Sequence, residues 1–144
     1  PSLRDVRVMA RKWPLLRYWK TKLIYMEQIL RARHTIDATG NSVGRVASHA
    51  AKLLQGKHKA TYVPNRDEGD FVVVENASFL KFTGDKFEQK KYLHYSGYPG
   101  GLKSTPLKDL FKYSPEEVIR RAVYHMLPKN KLRTGRIKRL SVKK

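Results

Sequence analysis

The sequence predicts a small α/β domain, helices layered on a mostly parallel sheet, with strongly basic segments at both ends. Three observations predict it. Two amphipathic helical stretches, Ser42–Gln55 and Ser114–Leu127, alternate with short β-branched runs. A hydrophobic content of 40% over 144 residues supports one modest core. The middle of the chain is close to charge balance while its ends are not.

Residues 1–33 carry nine Lys/Arg and two acids, residues 34–127 carry fourteen and ten, and residues 128–144 carry eight and none. The whole has a formal charge of +19. A chain this basic repels itself unless a polyanion absorbs the field. This divides the chain into a basic aromatic arm (1–33), an α/β core (34–127) and a basic extension (128–144). Cysteine is absent, which excludes disulfides, a thiol nucleophile and Cys-ligated zinc or iron–sulfur sites. The longest apolar runs, such as Phe71-Val72-Val73-Val74, are too short to cross a bilayer.

In the arm, Trp13, Tyr18, Trp19 and Tyr25 interleave with Arg11, Lys12, Arg17, Lys20 and Lys22. Aromatic faces stack on unpaired bases while cations hold phosphates. Helical spacing from Tyr18 to Ile29 predicts a short helix that would serve RNA, a partner protein or a membrane interface.

His34–Ala38 reads as a strand and Thr39-Gly40-Asn41 as a turn. The helix from Ser42 places Val43, Val46, Ala47, Ala50, Leu53 and Leu54 on one face and stops at Gly56. Phe71–Glu75 reads as a buried strand, in which a charge at Val73 should unfold the domain. Phe79–Thr83 reads as a second strand before the Gly84-Asp85 turn, and Lys90–Tyr95 as a third. Ser114 as N-cap, Pro115 at the first helical position and Glu117 two residues on form a capping-box pattern, and Pro128 ends that helix.

The best enzymatic candidate is the acidic group Asp67, Glu68, Asp70 and Glu75, with Asp37 upstream. Clustered carboxylates bind Mg²⁺ and activate water for phosphodiester cleavage. The same residues have turn composition and suit pairing with nearby Lys and Arg. The five histidines (His34, His49, His58, His94, His125) lack metal-ligand spacing, and no nucleophile elbow of the GxSxG kind is present. No catalytic residue, metal site or cofactor is assigned.

Three segments suit phosphate contacts. Gly97-Tyr98-Pro99-Gly100-Gly101, flanked by His94, Tyr95, Ser96 and Lys103, fits no nucleotide fingerprint but offers backbone N–H groups to an anion. Lys57, His58 and Lys59 follow the first helix, and Lys129, Lys131, Arg133, Arg136, Lys138 and Arg139 follow the second. Such contacts position a protein on RNA without reading sequence.

These landmarks in order resemble the ribosomal protein L13 family of the large ribosomal subunit. The matching stretches are Ile36-Asp37-Ala38-Thr39-Gly40, Gly44-Arg45, Gly56-Lys57-His58-Lys59 with Tyr62 and Pro64, and Gly69-Asp70. They continue with Thr83-Gly84, His94-Tyr95-Ser96-Gly97-Tyr98-Pro99-Gly100-Gly101 and Met126-Leu127-Pro128-Lys129. The resemblance covers roughly residues 34 to 142. It implies a non-catalytic, three-layer α/β/α protein with a four-stranded parallel sheet that binds large-subunit ribosomal RNA and neighbouring ribosomal proteins. It implies neither a membrane nor a small-molecule partner. Arg45 joins the expected RNA contacts as part of the Gly44-Arg45 motif. Phe87-Glu88-Gln89-Lys90 and Pro128–Arg133 look most like mitochondrial members, so the expected location is the mitochondrial ribosome, with the bacterial cytoplasm as alternative.

Overall fold

The computed structural model describes residues 31–144, so Arg11, Lys12, Arg17, Lys20 and the helix expected from Tyr18 to Ile29 lie outside the described residues. The first strand, β1, is Arg33–Asp37. Helix α1 spans Val43–Gln55, and its N-cap Ser42 accepts the Arg45 N–H at 3.5 Å. It ends as its sequence predicts. Gly56 adopts φ 79°, its N–H reaches the Leu53 carbonyl at 3.0 Å, and the Lys57 N–H reaches that of Lys52 at 3.1 Å. This is a Schellman close, which a Cβ at Gly56 would strain.

Strand β2 is Phe71–Glu75, followed by a 3-10 turn at Ala77–Phe79 and a four-residue helix α2, Lys86–Gln89. Strands β3 (Lys91–Tyr95) and β4 (Leu102–Pro106) form an antiparallel hairpin. Helices α3 (Leu107–Tyr113), α4 (Pro115–Met126) and α5 (Arg133–Ile137) lead to the last strand, β5 (Leu140–Val142).

The main sheet has order β1-β2-β5, all parallel. Paired residues in adjacent strands project to the same side. The register Ile36↔Val74↔Val142, with Val72↔Leu140, therefore gathers five buried side chains on one face, against which α1 and α4 pack. Ala47, Ala50, Leu54, Ile119 and Val123 complete this core. The opposite face presents Thr35, Asp37, Phe71 and Ser141 exposed and Val73 half-buried.

Several expectations are corrected. The α/β class holds, but among the described residues the parallel sheet has three strands, not four, with a separate antiparallel pair beside it in the chain. The third strand comes from the segment read as a basic extension, whose Leu140 and Val142 are buried. Val73 is not the buried position; Val72 and Val74, both 0% exposed, are the sites where a charge would unfold the domain. Phe79–Thr83 is not a strand. Asn76 at φ 60° bends the chain into the 3-10 turn, and a single parallel bridge from Lys81 to Ser42 remains. Phe82 leaves the sheet plane for a cluster with Phe87 and Phe111, centroids 5.2 and 5.1 Å away. The capping box does not form. Ser114 closes α3 through its N–H to Leu110 and makes no side-chain cap on α4, while Glu117 pairs with Arg121 at 2.9 Å.

Candidate nucleic-acid interface

The parallel topology brings the loop between α1 and β2 beside the segment that enters β5. Gly69 lets this loop lie against the last turn of α1: a Cβ there would fall 1.8 Å from the Leu54 carbonyl oxygen. Two acids of this loop then gather cations from distant parts of the chain.

Asp70 has a side chain 1% exposed. Its Oδ1 accepts the Lys59 ammonium at 2.5 Å and the Ala32 N–H at 3.1 Å. Its Oδ2 takes the Nε2 groups of His58 at 2.8 Å and His34 at 3.0 Å. Burial pushes this carboxyl up, but the bonds from Lys59, His34, Ala32 and His58 outweigh burial and bring it down to about 2. Asp67 forms a two-pronged bond to Arg139, 2.6 Å from each guanidinium nitrogen, and accepts Arg136 Nε at 3.3 Å. Arg136 also donates to the Arg66 carbonyl at 3.2 Å, and Arg139 to that of Leu54 at 3.3 Å. Burial again works to raise Asp67, and Arg139 and Arg136 carry it below the usual carboxylate range.

These contacts decide the role of several expected site residues. Arg136, 1% exposed, and Arg139, 8% exposed, are not available to phosphate, because Asp67 holds both inside. Lys59 and His58 are tied to Asp70. Arg133 lies half-buried, donating to the Leu127 and Pro128 carbonyls at 3.0 and 3.1 Å and resting over the Tyr124 ring. It ties down the two residues that follow α4 by satisfying their carbonyls.

The acids do not converge as a nuclease would require. Asp67 and Asp70 serve separate cation sets, Glu75 pairs with Lys143 at 3.2 Å, and Asp37 accepts bonds from Asn76 and Thr39. His34, His58 and Asp70 have ligand-capable atoms within 4.8 Å of one another. Yet the carboxylate oxygens at their centre are saturated by four donors, one already a cation.

The remaining expected residues lie at the surface. Arg45 lines the exposed side of α1, Lys57 follows that helix, and Lys129, Lys131 and Lys138 flank α5; all are exposed. His94, Ser96, Gly97, Gly100 and Lys103 are exposed on the β3–β4 hairpin, with Gly101 half-buried. The glycine loop is a built turn rather than an open cradle. Pro99 and Gly100 (φ 73°) occupy the centre of a type II turn closed by the Gly101 N–H to the Tyr98 carbonyl at 2.9 Å. Leu93, Tyr95, Tyr98 and Leu102 are between 60% and 75% exposed; from sequence, Tyr95 and Tyr98 figure only as parts of the glycine-loop segment, and Leu93 and Leu102 are not singled out. Their signal was present as an acid-free stretch of alternating side chains.

A family model described as ribosomal protein L13 matches residues 31–143. The chain belongs to the ribosomal protein L13 family. Curated relatives agree over most of their length. The large ribosomal subunit protein uL13 of Aquifex aeolicus is 52% identical over 123 residues, 85% of this chain and 85% of that protein. Its counterpart in Thermotoga petrophila is 45% identical over 134 residues, 93% and 88% of the two chains. That of Geobacter sulfurreducens is 45% identical over 122 residues, covering 85% of each. The family match begins just before β1 and ends in the residue after β5, so it embraces both acid-centred clusters and the hairpin.

Proposed function

We propose that this chain is a structural, non-enzymatic constituent of the large ribosomal subunit that binds ribosomal RNA and abuts neighbouring ribosomal proteins. The observation that carries the reading, beside family membership, is how the described domain sorts its cations. Those with acid partners hold the fold, while Arg45, Lys57, Lys103, Lys129, Lys131 and Lys138 stand exposed. Outward lysines on a chain of net charge +19 supply affinity for phosphate by releasing counterions. The residues 1–33 add a further basic, aromatic segment under this reading.

The relatives described above are bacterial, which supports the bacterial cytoplasm over the mitochondrial ribosome. Among the described residues no helix is long and apolar enough to cross a membrane.

Sedimentation of a lysate tests the proposal. The native protein should travel with large subunits through a high-salt gradient, and the purified protein should bind ribosomal RNA with an affinity that falls steeply as salt rises. Binding indifferent to salt, or absence from the large subunit, overturns it.

A further inference from the structure

The β3–β4 hairpin stands apart from the main sheet as its own two-stranded sheet. Its two faces differ. On one, Tyr92 is half-buried, with the Arg121 guanidinium 5.1 Å and the Lys90 ammonium 5.4 Å from its ring centroid. That contact fixes the hairpin to α4 and points the alternate residues away. On the other face the register pairs Tyr95 with Leu102 and Leu93 with Ser104. Leu93 is 66% exposed, and Tyr95 and Leu102 are each 60% exposed. At the tip, Tyr98, 75% exposed, is the first residue of the closed Tyr98–Gly101 turn.

We infer that this outward face and tip form a stacking platform for unpaired nucleobases, so that the RNA element taken by the hairpin is a loop or bulge rather than a duplex. The inference rests on the RNA-binding reading above and specifies it. Charge complementarity selects the occupant. From Lys90 to Lys108 there are four lysines and no Asp or Glu, so the strands that carry the platform bring cations and no acid, and Lys91 lies on the platform's own face. An exposed tyrosine offers a π-face to any base, and a nearby lysine an ammonium to the adjoining phosphate. Duplex RNA withholds its base faces and is met through phosphate and 2′-hydroxyl contacts, which exposed rings do not serve. The geometry also favours binding entropically. Tyr95 is held in a ladder and Tyr98 on a turn fixed by Pro99 and Gly100, so little backbone freedom remains to be lost.

The test compares two RNAs and four variants of the full chain: Tyr95→Ala, Tyr98→Ala, Tyr95→Phe and Tyr98→Phe. Affinity for an unstructured oligouridine and for a blunt duplex of equal length is read by anisotropy at one salt concentration. Each alanine variant should lose about fivefold or more on the oligouridine. It should lose less than about twofold on the duplex, and the phenylalanine variants should bind both RNAs as the parent does. Circular dichroism melts that match the parent show that the loss is not unfolding. Alanine variants that bind the oligouridine as tightly as the parent overturn the inference and leave the face to a protein neighbour. Equal losses on both RNAs also overturn it, because they mark a phosphate contact. A parent that binds neither RNA fails the RNA-binding reading itself, whereas duplex binding with unchanged variants fails the platform alone.

Discussion

The loop after α1 and the β3–β4 hairpin are both rich in lysine, histidine and glycine, yet they use these residues in opposite ways. In the loop, Asp67 and Asp70 draw Lys59, His58, Arg136 and Arg139 inward, and the cations join β1, α1, β2 and the approach to β5. The hairpin contains no acid, and Lys91, Lys103, Tyr95 and Tyr98 are exposed while Tyr92 alone of its tyrosines is half-buried against α4. Whether a basic residue serves the fold or a ligand is therefore decided by the acid it can reach in space. That acid lies 69 residues away for Arg136 and 72 for Arg139.

The strongest way to break this contrast is Asp67→Ala. It strands two guanidinium groups in a nearly dry site and should cost about 3–5 kcal/mol, read as a large fall in denaturant midpoint. Unchanged stability would place those arginines in solvent. Acid comes next. Because the Asp70 carboxyl is lowered to about 2 in the folded chain from 3.8, its stabilising contribution is complete above about pH 4 and disappears as pH falls toward 2. Chemical unfolding followed from pH 5 to pH 2 should show that decline, and Asp70→Asn should flatten it.

Lys57 and Lys59 sharpen the comparison within one loop. Lys59→Ala leaves the buried Asp70 short of a charged donor and should cost about 1–3 kcal/mol of stability. Lys57→Ala removes an exposed side chain, should change stability by less than about 0.5 kcal/mol, and should weaken RNA binding a few-fold across sequences alike. Paired melting and binding curves for the two variants check it. Gly56→Ala acts on the fold alone. It should lower stability by about 1–2 kcal/mol without touching affinity per folded molecule, since the added Cβ strains the left-handed close of α1 and presses on the Glu68 backbone 3.2 Å away.

Much of the fold was legible because its signals are local. The stripe from Val43 to Leu54, Ser42 before it and Gly56 after it describe α1 without help from the rest of the chain. Val72 and Val74 announced β2, though the run could not say that Val73 faces the other way. What escaped is non-local. β5 has three residues and follows a run of cations, so neither length nor composition marks it. The strand expected at Phe79–Thr83 has the right composition, but Asn76 and the pull of Phe87 and Phe111 on Phe82 leave it one bridge. The expected contacts divide along the same line: Lys57 and Lys103 are exposed as their surroundings suggested, while Arg136 and Arg139 are buried by a partner no window of sequence contains.

The position of β5 has a consequence for how the molecule is made. Chains emerge N-terminus first, and strand β2 gains its second neighbour only when Leu140–Val142 arrive. Until then Val72 and Val74 have β1 on one side alone, and Asp67 waits without the arginine pair that neutralises it. The domain is thus locked by residues made long after β1 and β2, which ties its maturation to the arrival of β5.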